Sequence, residues 1–314
     1  MIPAWFFVAL LAEVLWVAGN LIDKYLIERF FRVNTNEDEG GVGTLILFSG
    51  LFGFIIAAFA VLVAFEEISL HADVVRLGIL VGALNALWVL LYLFALERTE
   101  ISRVVPLFQT VPIFGLMFAF FVLGEIVSVT QLLAAFVIMA GAVVLTYHSK
   151  KQGGGFDIRT LMYMLGASTI IALTDVLFKD VALEANYWSS VFWMGIGIGL
   201  FGLTTYLAVP TYRRQFNSFL REKNWKVFGG NAINEILAAA ADLTFAAATL
   251  LGPIVLVQAI NAYQPMLVFL GGLLLARLIP GYYTEDTNIQ TLAQKIFGIL
   301  LITLGSLFLY WTLT

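Results

Sequence analysis

Ten apolar stretches follow one another along the chain, parted by short polar connections. Each is close to the roughly 20 residues that an α-helix needs to cross the hydrocarbon core of a bilayer. They run near 3–26, 43–65, 77–96, 104–123, 127–147, 159–182, 187–209, 226–250, 253–276 and 290–313. The connections at 34–41, 66–73, 152–157 and 280–288 hold the Gly, Pro, Asn and acidic residues of turns. Short links between the third and fourth stretches, and between the eighth and ninth, predict antiparallel neighbours. The pattern predicts an all-α integral membrane protein with ten transmembrane helices.

Composition strengthens that reading. Apolar residues make up 61% of the chain and charged residues 12%, against about 45–50% and about 25% in soluble domains. So few polar residues cannot cover a soluble surface, whereas a bilayer accepts an apolar one. Cysteine is absent, which excludes disulfides and thiolate-bound metals; no cofactor or metal is expected. The two histidines, His71 and His148, read as loop or helix-end residues. No basic patch with interleaved aromatics suggests nucleic acid as a partner. The first stretch lacks a basic start and a small-residue cleavage site and contains Glu13, so it reads as a retained helix.

The two halves resemble each other. Asn20 and Lys24 match Asp175 and Lys179 in spacing, and the stretch ending in Pro112 lies over the stretch ending in Pro265. Residues 130–145 lie over 294–309, which puts Gly141 on Gly305. The Gly-rich run 152–155 reads as a linker. The expected division is a five-helix repeat over 1–148, a linker over 149–158 and a second repeat over 159–314. Five spans are an odd number, so the second half inserts upside down. Such inverted repeats place a solute site near the midplane, where the halves meet.

Several features carry a family resemblance: the Asn-x-x-x-Lys ending of the first helix, Pro112 leading to Leu123-Gly124-Glu125, and the fifth helix from Thr130 to Gly141. They resemble an EamA domain, and two in tandem resemble the drug/metabolite transporter superfamily. The resemblance implies two inverted five-helix repeats around a central cavity. The second half departs from it at Arg277, where a glutamate is expected. That departure weakens any role argued for Glu125 by symmetry.

Of the 17 Lys and Arg residues, fourteen fall in or beside the connections after helices 1, 3, 5, 7 and 9, Lys295 among them. Apart from Lys24 and Lys179 at helix ends, the opposite side holds only Arg76. The positive-inside rule then puts both termini on the extracytoplasmic side of a plasma or inner membrane. The family resemblance implies both termini inside.

A charge at the bilayer centre costs at least about 2.5–3.5 kcal/mol, so ionisable residues within spans mark functional positions. On the first helix Glu13, Trp16, Asn20 and Lys24 share one face. The sixth offers Asp175 and Lys179; the eighth offers Asn231, Glu235 and Asp242 on one face, continuing to Phe245 and Thr249. The third contributes Asn85, Trp88 and Tyr92, the fourth Gln109 and the ninth Gln258 and Asn261. These side chains converge if helices 1, 3, 4, 6, 8 and 9 surround a cavity, where Asp23 or Asp175 would pair with the lysines. Each also has a plainer reading, as helix-to-helix hydrogen bonding, aromatic packing or a lysine reaching for the interface. Pro106, Pro112, Pro253 and Pro265 predict kinks. The fifth and tenth helices read as peripheral packing or homodimer contacts.

The expected function is secondary transport by alternating access, with membrane lipid and a small-molecule solute as the only partners besides a second copy. No nucleotide-binding motif is present, and proton exchange at Glu13 or Asp242 is the expected coupling. Acids and aromatics favour an amino acid, an amine or an organic cation. Lys24 and Lys179 keep open an anionic metabolite, such as a nucleotide sugar or a phosphorylated compound. A passive channel and a membrane-embedded enzyme are the readings of other classes; no filter repeat or catalytic constellation supports either.

Overall fold

A computed structural model describes residues 2–26, 42–98, 105–146, 158–221, 225–278 and 289–313. All the secondary structure among them is helical. Helices α1 (Ala4–Leu26), α2 (Val42–Ala64) and α3 (Ala72–Arg98) come first. The fourth apolar stretch is broken into a 3-10 segment (Val105–Thr110), α4 (Val111–Phe118) and a π segment (Ala119–Leu123). Helices α5 (Val129–Thr146), α6 (Ile158–Glu184) and α7 (Tyr187–Ala208) follow. Beyond them lie α8 (Pro210–Arg221) and α9 (Trp225–Leu251). The ninth stretch is again broken, into α10 (Ile254–Ala259), a 3-10 turn (Ile260–Tyr263) and α11 (Gln264–Leu278), and α12 (Ile289–Leu313) closes the chain. Among the described residues six helices are long and apolar enough to cross a membrane, and four shorter apolar helices accompany them.

The two broken stretches fail at matching places. Pro112 and Pro265 each stand second in a helix that follows a 3-10 segment. Proline lacks an N–H and clashes with the preceding turn, so the chain tightens before it and restarts after it. Pro253 is the N-cap of α10 in an extended conformation.

The extensive packing runs between halves. Helix α1 lies antiparallel to α9, with Gly19 against Asn234 and Gly252 against Trp5. Helix α3 lies antiparallel to α6, with Leu91 on Gly166 and Phe94 on Tyr163. Helix α2 crosses α7 where a Cβ on Gly50 would stand 2.7 Å from the Gly202 Cα. A Cβ on Gly82 would stand 2.0 Å from the Met194 carbonyl. With no hydrophobic drive between helices in lipid, such small residues let backbones approach and dispersion hold them. Helices α5 and α12 pair through Gly141 and Gly305 and turn Phe136, Leu300 and Leu304 outward, the faces that lipid covers. The neighbours predicted by the short third-to-fourth link do meet, Trp88 and Tyr92 on Phe108.

Helix α8, TYRRQFNSFLR after its leading proline, was not expected. A search for apolar stretches passes over twelve residues carrying three arginines. Its aromatic stripe packs on α2: Tyr212 and Phe216 join Ile46 and Leu47, and Phe219 meets Phe48 edge-on.

Candidate functional site

Between the two halves lies a cavity of about 70 Å³. Helix α1 supplies Trp16; α3 supplies Asn85 and Trp88; α6 supplies Ile171, Thr174, Asp175 and Phe178. Helix α7 adds Met194, α9 adds Asp242, Phe245, Ala246 and Thr249, and the 3-10 turn adds Asn261. Spacings of three and four residues put each helix's contribution on one face. The i, i+3 pairs Asn85/Trp88, Asp175/Phe178 and Asp242/Phe245 each set an amide or acid beside a ring.

Neutral donors hold both acids. The Trp16 indole Nε1–H donates to Asp242 Oδ1 at 3.0 Å, and Gln258 Nε2 donates to Asp175 Oδ2 at 2.8 Å. The two carboxylates line the same cavity, one from α6 and one from α9. Among the described residues no Lys, Arg or His lines the cavity. Gln258 reaches Asp175 because Gly115 makes room: a Cβ there would stand 1.8 Å from Gln258 Oε1.

Lys179 is placed otherwise than expected. Its Nζ bonds Glu125 Oε1 at 2.5 Å and the Gly252 carbonyl at 2.8 Å, so it does not pair with Asp175. Glu125 Oε2 in turn accepts the Ile254 N–H at 2.9 Å, an orphan donor at the start of α10. Gly124 explains the approach. At φ 65° it ends the π segment left-handed, its N–H and that of Glu125 both returning to the Ala119 carbonyl. A Cβ penalises that conformation, so glycine takes the position. The Leu123-Gly124-Glu125 motif is thus a helix stop that delivers a carboxylate to a lysine of the other half. This gives Glu125 a contact that owes nothing to symmetry with Arg277.

Six of the sequence candidates line the cavity: Trp16, Asn85, Trp88, Asp175, Asp242 and Asn261. Gln258 stands behind Asp175, and Tyr92 stacks near Trp88 and Phe108 without lining it. Glu235 accepts a bond from Ser49 of α2 at 2.6 Å. Gln109 and Asn231 are buried away from the lining. Glu13 is fully buried off the lining, and neither carboxylate oxygen has a partner among the described residues. The side chains of Asn20, Asp23, Lys24 and Arg277, and residues 149–157 of the linker, lie outside the described residues. Lys295, counted above with the connections, sits inside α12, with Nζ 4.4 Å from the Phe269 ring centre.

The reading from sequence missed Thr174, Phe178 and Met194 of the lining. Phe178 had a signal, three residues from Asp175 on the same face. Met194 had none, because α7 carries no charged or amide side chain to mark a face. Among the described residues no group of three or more His, Cys, Asp or Glu could hold a metal ion.

Residues 3–147 match the model of the EamA-like transporter family. A protein of known crystal structure, 16% identical, superposes with a TM-score of 0.68 and covers 98% of this chain and 96% of its own. At that identity it speaks for the fold alone. Among curated proteins none matches.

Proposed function

We propose, from the match of residues 3–147 to the model of the EamA-like transporter family, that this chain is a secondary carrier of small amines, amino acids or other organic cations. The observation that carries this reading is the cavity between the halves, lined by Asp175, Asp242 and four aromatic rings with no cation among its described residues. Carboxylates and ring faces both attract ammonium groups. Lys179, one of the two lysines that would favour an anion, is engaged by Glu125.

Alternating access between two inverted five-helix repeats, residues 1–148 and 159–314, is the proposed mechanism. The pairing of helices supports it. Exchanging the halves maps the α1–α9 pair onto α6–α3 and the α2–α7 and α5–α12 pairs onto themselves, as a twofold axis in the membrane plane requires. The exchange is imperfect in one respect. Helix α3 lies along α7 through Gly78 and Gly82, whereas α9 meets α2 at Glu235–Ser49 and Phe228–Phe48. Such inequality suits one state of a carrier whose two ends close in turn.

Proton coupling through Glu13 belongs to the same proposal, supported by a mid-span carboxylate buried without a partner among the described residues. In proteoliposomes, wild type should show saturable counterflow of a small amine, accelerated by an imposed pH gradient. Glu13→Gln should keep counterflow and lose the acceleration. Flux that never saturates contradicts a carrier, and an undiminished gradient response in Glu13→Gln removes Glu13 from the coupling.

A further inference from the structure

The charged groups on the cavity lining among the described residues are both acids. Asp175 and Asp242 each receive one neutral donor on one oxygen, and the second oxygen of each takes no partner among the described residues. Asn261 Oδ1 is buried on the lining with no partner either. An ammonium has three donors and no acceptor, so it complements such a surface. One ammonium answers one carboxylate and leaves the second acid facing it uncompensated, a costly arrangement in a low-dielectric site.

We infer that the cavity takes a dication, a short linear diamine with one ammonium at Asp175 and the other at Asp242. This names the solute class within the carrier reading and rests on it. The walls favour an organic dication over a metal ion. Trp16, Trp88, Phe178 and Phe245 give a methylene chain apolar walls, whereas a divalent metal wants about six to eight oxygens. The size agrees. A water position needs about 10–15 Å³ of such volume, so the cavity of about 70 Å³ holds about five or six non-hydrogen atoms. That is the size of 1,4-diaminobutane.

The test uses purified full-length protein in proteoliposomes, with labelled 1,4-diaminobutane and butylamine as counterflow substrates and Mg²⁺ as a competitor. The diamine should bind at least about tenfold more tightly than butylamine, the ratio that one extra charge-assisted hydrogen bond implies. Asp175→Asn should bring that ratio close to one. A general structural defect would weaken both amines together and leave the ratio standing, which overturns the assignment of Asp175. Equal affinities in wild type, or Mg²⁺ competing as well as the diamine, overturn the dication site while leaving the carrier intact. If neither amine supports counterflow, the carrier reading itself fails.

Discussion

Asparagine in place of Asp242 is expected to lower amine transport about 10–100-fold, the loss of one charge-assisted hydrogen bond to a bound ammonium. The substitution is chosen to spare the fold. Asparagine keeps an oxygen that accepts the Trp16 indole N–H, so α1 and α9 stay joined as they are at 3.0 Å. What disappears is the charge on the lining. The check is initial counterflow rate beside thermal stability, with Asp242→Asn melting near wild type. A variant that transports normally places the solute elsewhere, and one that fails to fold makes Asp242 a structural residue.

The largest effect on stability is expected at Lys179. Its side chain is 8% exposed and that of Glu125 17% exposed, so the pair is largely out of water. Removing one partner of a buried ion pair costs about 3–5 kcal/mol, because the other charge is left uncompensated. Lys179→Met strands a carboxylate whose remaining bond is the Ile254 N–H, and Glu125→Leu strands an ammonium on the Gly252 carbonyl. Replacing both by apolar groups of similar shape recovers much of the loss. Thermal unfolding of the detergent-purified single and double variants reads this directly. Single variants as stable as wild type, or a double variant as unstable as the sum of its parts, would show that the pair carries no such coupling.

The sequence made the helices legible because bilayer thickness imposes one length on every span, and an apolar run of roughly twenty residues suits little besides a membrane. It made part of the site legible for the same reason. An acid such as Asp242 or Asp175 within a greasy stretch is costly wherever it lies, so it stands out before its neighbours are known. Direction was harder. Glu13 and Asp242 look alike in the sequence, yet Asp242 lines the cavity and Glu13 lies buried off it. Helical spacing fixes which residues share a face and leaves open what that face meets.

Partners across the halves were illegible for a related reason. Lys179 has Asp175 one turn away on its own helix, and local spacing favoured that pair. The actual partner, Glu125, is 54 residues distant and arrives through the left-handed turn at Gly124. Helix α8 was missed because its signal is an aromatic stripe among arginines rather than an apolar run. The breaks before Pro112 and Pro265 were predicted as kinks, and the structure makes them 3-10 segments; the second begins two residues after Gln258.

The central claim is that one cavity, shared by both halves, holds the solute. The chain contains no cysteine, so single cysteines can be placed at Asn85 of the first half and Ala246 of the second and labelled with a membrane-impermeant maleimide. Both positions should react, and the same small amine should protect both at the same concentration. Protection of one position alone, or of neither by an amine that is transported, would contradict a shared binding cavity.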